Sequence, residues 1–454
     1  MRGQDYRNAV HNNRPFRTTA SKEARQSIRT MLDRPPEQTG FSKPEQDIVR
    51  GAAVTNQKKI GFLIPQFPGQ THIFFWREIL ELRAMGIDVT LFSTRLPPKG
   101  LISHDWSDQA IGETDYLAEN SVLDYLLGIL ALPWMQLIRA LPRNGWALLR
   151  EAIFCAGPAL RLRRKARQQG IGHIHAHSCG RAAMIATLSH LGGGPKYSLT
   201  LHGPLSDYGP VQDFKWRHAA AATIITKKLH AEMQRDLPDA LPADIRLQPM
   251  GVDVDRLTRK SPYVPPKKGR PLRLFSCGRL NIVKGHQDLI DAVALLNAER
   301  QPAELFIAGQ DDDGGAGFYQ TLAEHRAASA ASDKIHLLGA ISADAVQAEL
   351  EQADIFVLAS WHEPLGVAYM EAMSLAVPTI GTNSGGVPEL ITDGETGLLV
   401  PPKDPRALAN AISKVANDPD LALRLSRNGR DLIEAKYHSK RGAETIAAIA
   451  FAAN

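Results

Sequence analysis

The chain has 454 residues, a formal net charge of +5 at pH 7, and ordinary apolar and charged fractions of 44% and 22%. This length exceeds what one ordinary hydrophobic core needs, so two domains are expected. Only three cysteines occur, at Cys155, Cys179 and Cys277, and their odd number and wide spacing argue against a disulfide framework and for a reducing compartment.

The N-terminal segment, residues 1–57, is polar and rich in arginine, with little apolar periodicity. We predict a basic, disordered extension. Its first residues, MRGQDYRNAV, lack the apolar segment of a secretory signal, so a cytoplasmic protein is expected.

A first domain is predicted over residues 58–257. A buried strand at Ile60–Ile64 precedes a helix in FFWREILELRAMG and a strand in IDVTLFST. This strand–helix–strand order is typical of a parallel sheet covered by helices. Residues 115–169 have a helical pattern interrupted by prolines, and HIHAH and YSLTLHG then read as short strands.

The longest uncharged apolar run, YLLGILALPWMQLI at 125–138, is broken by Pro133. It is shorter than the roughly 20 residues that span a bilayer.

Residues 258–271, with the sequence TRKSPYVPPKKGRP, have the composition of a linker. The second half of the chain then repeats the alternation of strands and helices. We predict a second domain over 272–435 and a C-terminal helix at 436–454 that packs back on the first domain. The fold class is therefore α/β, with two Rossmann-like doubly wound domains facing a central cleft.

The stretch WHEPLGVAYMEAMSLAVPTIGTNSGGVPEL, residues 361–390, follows a predicted strand, DIFVLAS. Such strand ends bind ligands in doubly wound sheets. A helix predicted to start near Gly366 offers free N–H groups to an anion such as phosphate. Glu371 in that helix suits a ribose diol, Glu363 lies nearer the reacting end of a ligand, and GGVPEL adds a second glycine turn and helix start.

A second charged loop, CGRLNIVKG, follows the first strand of the second domain and contains Arg279 and Lys284. Two fixed cations there are able to neutralise a departing diphosphate without a metal. Two ordinary surface cations are the alternative interpretation.

These motifs together resemble the donor-binding domain of the family 4 retaining glycosyltransferases, which have the GT-B fold. The resemblance rests on GRLNIVKG, on EPLGVAYMEAM with its two glutamates, on GGVPELI and on GETGLLVPP. In the first domain, FPGQTHIFFWREI, HIHAH, LTLHG and QPMGVD are similar to loops of that family. The pattern of LTLHGPLSDYG is similar to transferases of bacterial exopolysaccharide and colanic-acid-type synthesis.

The resemblance implies specific roles. Arg279 and Lys284 would bind the diphosphate of a nucleotide-sugar, Glu371 the ribose, and Glu363 the donor sugar. His202 would face the transferred sugar across the cleft, and Gly69 would border the diphosphate and acceptor. The implied catalytic residues are His202, Arg279, Lys284 and Glu363, and the implied donor-binding residues are Gly69, Gly278, Leu365, Gly366, Val367 and Glu371.

The implied function is retaining transfer of a sugar from a nucleotide-sugar to a carbohydrate or polyprenyl-linked oligosaccharide acceptor, in exopolysaccharide or cell-surface polysaccharide synthesis. No cofactor, metal or nucleic-acid partner is expected. Two alternatives stay open: a nucleotide-sugar epimerase on the same scaffold, and a catalytically silent subunit of a polysaccharide assembly complex.

Two clusters of possible metal ligands are discounted. Asp311–Asp313 follows a strand in a domain that already offers cations, and a solvated turn is the better interpretation. His173, His175 and His177 share one strand face, but only Cys179 lies near them in sequence as a further ligand.

The basic run RLRRKARQQG near Trp134 and Trp146 fits an anionic membrane surface better than nucleic acid, because no nucleic-acid module accompanies it. A solvated helix face is an equally good interpretation. A peripheral location on the inner face of the cytoplasmic membrane is therefore a hypothesis.

Overall fold

Two parallel β-sheets covered by helices make up the part of the chain that the computed structural model describes, residues 58–69, 72–97, 105–119, 121–267, 269–311 and 317–452. The predicted extension at 1–57 lies outside the described residues. The first sheet contains β1 (Lys59–Gln66), β2 (Asp88–Arg95), β3 (Thr114–Tyr116), β4 (His173–Ala176), β5 (Lys196–Leu201), β6 (Ala221–Ile224) and β7 (Asp244–Leu247). The second contains β8 (Leu272–Cys277), β9 (Ala303–Ala308), β10 (Ile335–Gly339), β11 (Ile355–Val357), β12 (Thr379–Thr382) and β13 (Leu398–Val400).

Both sheets reverse their strand order once. The spatial orders are β3-β2-β1-β4-β5-β6-β7 and β10-β9-β8-β11-β12-β13. The register places Leu63 of β1 beside Ala176 of β4, and Phe275 of β8 beside Phe356 of β11. The central strands are buried on both faces, which explains their continuous apolar runs. This arrangement confirms the predicted doubly wound α/β fold.

The helices lie on both faces of the sheets. Those of the first domain are α1 (Ile73–Ala84), α2 (Ser107–Glu113), α3 (Val122–Leu130), α4 (Trp134–Gln169), α5 (Arg181–Leu191), α6 (Gln212–Arg217) and α7 (Lys227–Asp236). The remaining helices are α8 (His286–Ala298), α9 (Phe318–Ala328), α10 (Ala343–Gln352), α11 (Val367–Ser374), α12 (Val387–Leu390), α13 (Pro405–Asn417), α14 (Pro419–Lys436) and α15 (Ser439–Ala450). Short 3₁₀ turns occupy Leu205–Tyr208, Ile282–Lys284 and Ser332–Lys334.

The helical pattern predicted from residue 115 is wrong at its start, because Asp115 and Tyr116 pair with β2 as part of β3. Farther along, Pro158 is accommodated inside α4, whereas Gly145 breaks the helix with φ 62°. Within the described ranges, no single helix is long and apolar enough to cross a membrane; α3 and α4, bent by 78° at their junction, reach that length and composition only as a pair.

The chain crosses between the domains twice. The segment after residue 257 packs on the second domain, where the buried Tyr263 hydroxyl donates to the backbone oxygen of Asp354 at 2.9 Å. The return crossing lies beside the first: Val252 N–H donates to Tyr437 O at 2.8 Å, and Ser439 N–H donates to Val252 O at 2.9 Å. Helix α15 then packs against α1 of the first domain.

Glu78 is buried where α1 meets α15, with 7% of its surface exposed. A side chain at Gly442 of α15 would overlap the Glu78 carboxyl. Burial raises the pKa of Glu78 from 4.5 to about 8, so the group is mostly protonated at neutral pH.

This burial predicts a pH-dependent stability. As pH rises from 4.5 to about 8, the unfolded chain ionises Glu78 while the folded chain keeps the proton, so the free energy of unfolding falls by up to about 1.4 kcal/mol per pH unit. Glu78→Gln removes this loss. We therefore expect the variant to gain stability relative to the wild type as pH rises, measured by urea unfolding at acidic, neutral and mildly alkaline pH.

Glu444→Gln, at an exposed position of α15, is the matched control and should follow the wild type. If the free energies of unfolding of Glu78→Gln and wild type differ by the same amount at every pH in this range, the raised pKa of Glu78 would be contradicted.

Candidate active site

All of the predicted site residues except His202 follow strands at which the strand order of a sheet reverses. Adjacent connections diverge at such a point and leave a crevice at the carboxyl ends of the strands. A solvent-open cavity occupies this region between the domains, with Ile73 and Arg77 of α1 on one side. Four predicted residues line its other side: Gly278, Arg279, Val367 and Glu371.

Lys284 and Glu363, the two charged residues predicted beside them, contact each other. Lys284 Nζ and Glu363 Oε2 are 2.5 Å apart, and Ser360 Oγ donates to the same oxygen at 3.2 Å. Only 14% and 10% of the two side chains are exposed. The pair therefore keeps two poorly solvated charges balanced, and it links the loop after β8 to the loop after β11.

Glycines determine the path of the Glu363 loop. Gly386 N–H donates to Glu363 O at 2.9 Å. Gly385 has φ +64°, and a Cβ there would overlap the same carbonyl oxygen. Gly366 has φ +100°, and a Cβ there would overlap the Tyr369 ring. Leu365 and Gly366 thus turn the chain tightly into the N-terminus of α11.

Trp361, which sequence reasoning missed, joins the same two loops. Its backbone N–H donates to Val283 O at 2.7 Å, and its indole Nε1 donates to Asp288 Oδ2 at 2.5 Å. The Lys403 ammonium lies 4.2 Å from the centre of a Trp361 ring. These contacts fix the loops that carry Lys284 and Glu363 relative to each other.

Glu371 meets an arginine from the other domain. Arg77 Nη2 donates to Glu371 Oε1 at 2.8 Å, and only 12% and 16% of the two side chains are exposed. Arg77 Nη1 is buried and has no hydrogen-bond partner among the described residues, so it is a donor that a ligand oxygen would satisfy. Sequence reasoning missed Arg77; the available signal was a cation within the apolar segment FFWREIL.

His202 follows β5 and stacks on His177, which follows β4. His177 Nδ1 and His202 Nε2 are 3.4 Å apart, and His202 Nδ1 lies 3.2 Å from Met250 Sδ. Burial lowers the pKa of His202 to about 3 and that of His177 well below its ordinary value. Both rings are neutral at pH 7, so His202 is a hydrogen-bonding group and not a general acid.

His177 Nε2 lies 3.5 Å from Glu78 Oε2. Since burial keeps Glu78 protonated and His177 neutral, this contact is between two neutral groups and not an ion pair.

The other strand histidines are structural. His173 Nε2 and His175 Nδ1 lie 2.8 and 2.7 Å from Ser198 Oγ on the neighbouring strand. Among the described residues there is no group of three or more His, Cys, Asp or Glu side chains arranged to hold a metal; Asp312 and Asp313 lie outside those residues.

Gly69 and the GGVPEL stretch lie at the edges of the site. Gly69 O accepts the His72 N–H at 3.0 Å in the turn before α1. Helix α12 is a single turn of four residues. Its Glu389 accepts the N–H groups of Lys227 and Lys228 at 2.7 and 2.8 Å, so this carboxylate caps α7 of the first domain.

Comparison with known proteins finds a family model that matches part of the chain. Residues 259–432, which include Arg279, Lys284, Glu363 and Glu371, match the model described as glycosyl transferases group 1. The second domain of the chain is therefore similar to this family. The match covers the linker from its second residue and nearly all of the second domain.

The chain also has relatives whose similarity extends beyond that domain. It is 28% identical to the alpha-D-kanosaminyltransferase of Streptomyces kanamyceticus over 319 residues, 64% of this chain and 80% of the relative. It is 34% identical over 179 residues to WcaL of Salmonella typhimurium, named as a colanic acid biosynthesis glycosyltransferase, covering 38% and 42% of the two chains.

A solved structure confirms that the chain has the GT-B fold. Anabaena HepE in complex with UDP-glucose superimposes with a TM-score of 0.66 at 16% identity, over 86% of this chain and 98% of HepE. The match to the family model confirms the predicted resemblance over residues 259–432.

The glycine turn against Glu363 predicts a stability difference between two alanine variants. Gly385→Ala forces a left-handed backbone on alanine and a Cβ against Glu363 O. Gly394→Ala has the same backbone cost, at φ +76°, but open space around the Cβ. We expect a loss of about 1 kcal/mol for Gly394→Ala and of more than about 3 kcal/mol for Gly385→Ala, measured by urea unfolding. Equal losses would show that the Glu363 loop does not depend on this contact.

Proposed function

We propose that this glycosyltransferase transfers a sugar, with retention at the anomeric carbon, from a nucleotide-sugar to a carbohydrate or lipid-linked oligosaccharide acceptor. The observation that carries the proposal is that Arg279 and Glu371 line one cavity between the domains. The Lys284–Glu363 pair joins the two loops at the same reversal of strand order. A cation, a helix N-terminus and a carboxylate in that order suit a diphosphate joined to a ribose.

The proposed donor contacts follow from this geometry. Arg279 and Lys284 bind the diphosphate, and the N-terminus of α11 adds backbone donors. An ammonium has three N–H donors, so Lys284 is able to hold Glu363 and a phosphate oxygen together. A carboxylate accepts at both oxygens, so Glu371 holds Arg77 at Oε1 and binds a ribose hydroxyl at Oε2. The UDP-glucose bound to HepE supports a nucleotide-sugar as donor.

The proposed reaction breaks the bond between the anomeric carbon and the phosphate oxygen and forms a bond from the same face to the acceptor oxygen. The acceptor proton passes to the leaving phosphate, so no carboxylate base is required. Charge develops on the leaving diphosphate, where Arg279, Lys284 and the α11 N-terminus stabilise it. Glu363 and the neutral imidazole of His202 orient the transferred sugar. Side chains supply the positive charge, and the proposal includes no metal.

The proposed acceptor belongs to exopolysaccharide or cell-surface polysaccharide synthesis, as the name of the relative WcaL supports. Such acceptors are carried on polyprenyl lipids, so we place the protein in the cytoplasm at the inner face of the membrane. An anionic lipid surface is then its second partner.

Removing the charges tests the donor site. We expect Lys284→Ala and Glu371→Ala to lower kcat/KM for transfer by about 10²–10³, because each removes a charge-assisted contact to the leaving group or the ribose. Product formation from radiolabelled nucleotide-sugar is the measurement, and circular dichroism reports the fold.

Lys414→Ala, at an exposed position of α13, is the matched control and should keep full activity. Because Lys284→Ala leaves Glu363 buried without its cation, the double variant Lys284→Ala/Glu363→Gln separates misfolding from lost binding. Near-normal turnover in folded Lys284→Ala and Glu371→Ala would overturn the assignment.

Binding of the donor should stabilise the folded protein. A panel of nucleotide-sugars is predicted to contain at least one member that raises the unfolding free energy by about 2.7 kcal/mol at one hundred times its Kd. Thermal unfolding measures this, and Glu371→Ala should abolish the shift. Turnover of that nucleotide-sugar to an epimer without acceptor would indicate an epimerase, and binding without any turnover would indicate a silent subunit.

A further inference from the structure

The first domain exposes many large apolar side chains on two consecutive helices outside the cleft. We call α3 and the first part of α4, residues 122–154, the apolar hairpin. Eleven large apolar side chains within it are exposed: Val122, Leu123, Leu126, Leu127, Leu130, Trp134, Met135, Ile138, Trp146, Ile153 and Phe154. Exposures of 78%, 76% and 77% at Val122, Leu130 and Trp146 show how little of it packs on the domain. Contiguous apolar surfaces of this kind mark interaction sites.

Close backbone approach and hydrogen bonds join α3 to α4, so the exposure of the apolar hairpin does not reflect loose packing. Gly128 of α3 lies so close to the α4 backbone that a Cβ would come within 2.6 Å of Ala156 O. Tyr125 OH donates to Ile153 O at 2.9 Å, and Trp134 Nε1 donates to Ile129 O at 3.1 Å. The apolar face is therefore preformed.

Charge around the apolar hairpin favours an anionic partner. Residues 122–154 contain three arginines (Arg139, Arg143 and Arg150) and two acidic residues; of the acidic residues, Asp124 pairs with Arg164 and Glu151 with Arg150. The arginines are exposed, beside Trp134 and Trp146. Arginine and tryptophan around an apolar surface are typical of the boundary between lipid headgroups and acyl chains.

A recess at the base of the apolar hairpin adds a headgroup site. Leu127, Leu130 and Leu160 form its apolar wall, and Arg163, Arg164 and Arg167 its charged side. Arg163 donates to Gly192 O, and Arg164 pairs with Asp124 at 2.9 Å. Burial and the repulsion of Arg164 and Arg167 lower the pKa of Arg163, which shows that the three cations lie close enough to repel one another.

We propose that the apolar hairpin inserts into one leaflet of an anionic bilayer, and that the recess between α3 and α4 binds the phosphate of one phospholipid through Arg163, Arg164 and Arg167. This inference rests on the membrane partner of the proposed function and is independent of the sugar donor. It describes insertion parallel to the surface and not a span.

Vesicle binding tests the proposal on the full chain. Wild type should co-sediment with phosphatidylcholine vesicles containing phosphatidylglycerol and bind pure phosphatidylcholine more weakly. The triple variant Leu123→Ser, Leu130→Ser, Met135→Ser should lower the partition coefficient at least about tenfold. Its matched control, Leu96→Ser, Leu247→Ser, Val264→Ser, changes exposed apolar residues elsewhere and should bind as wild type.

Charge and depth are tested separately. Arg164→Gln and Arg167→Gln should each weaken binding to anionic vesicles about fivefold, with little effect on neutral ones. Lipids brominated on the acyl chain should quench tryptophan fluorescence in wild type, and less so in Trp146→Phe.

Failure of wild type to bind anionic vesicles would overturn both the membrane partner and the apolar hairpin. Equal binding by wild type and the hairpin triple variant would overturn the hairpin alone. Wild type could instead form a dimer in sedimentation equilibrium, bind no vesicles, and lose the dimer in the triple variant. That outcome would assign the surface to a second copy of the chain. Sugar transfer to a soluble acceptor should be the same in the hairpin variants as in wild type. If wild type shows no such transfer, that result would overturn only the transferase proposal.

Discussion

The charged loops of the site follow β8 and β11, the two neighbouring strands at which the strand order of the second sheet reverses. The connections after β8 and β11 run to opposite faces of their sheet, so the backbone cannot fill the space between them. Arg279 and Lys284 come from one of these connections, and Glu363 from the other. The geometry that creates the crevice thus also brings cations and a carboxylate to its rim.

Charges in the crevice are partnered before any ligand arrives. Lys284 holds Glu363, and Arg77 holds Glu371. Desolvated charges are costly unless compensated, and these pairs supply the compensation while fixing the side chains in place. In the proposed function, the phosphate or diol of the donor adds to an ordered set of donors and acceptors, which lowers the entropy lost on binding. Trp361 and the glycine turn at 385–386 provide the rigid support.

The fold and part of the site could be predicted because their signals are local. Buried strands read as apolar runs, and a charged residue just after such a run, as at Arg279 or Glu363, falls at a sheet edge. Arg77 was not predictable in this way, because its partner is 294 positions away and only tertiary packing brings them together. The neutral state of Glu78 likewise depends on α15, from the far end of the chain. Near Asp115 the helical pattern was misleading, since pairing with β2 outweighed local preference. The apolar residues of 122–154 were read as helical, but sequence does not reveal which helix faces remain uncovered.

The paired crossings between the domains constrain how they move. Because Val252 is hydrogen-bonded to Tyr437 and Ser439, both covalent connections pass through one small region, about which any rotation of the domains would occur. Rotation of one domain relative to the other then has a single pivot, and sliding along the interface is opposed by the tied strands. Contacts far from this pivot open first, and the Arg77–Glu371 bridge across the crevice is the bond such an opening would have to break.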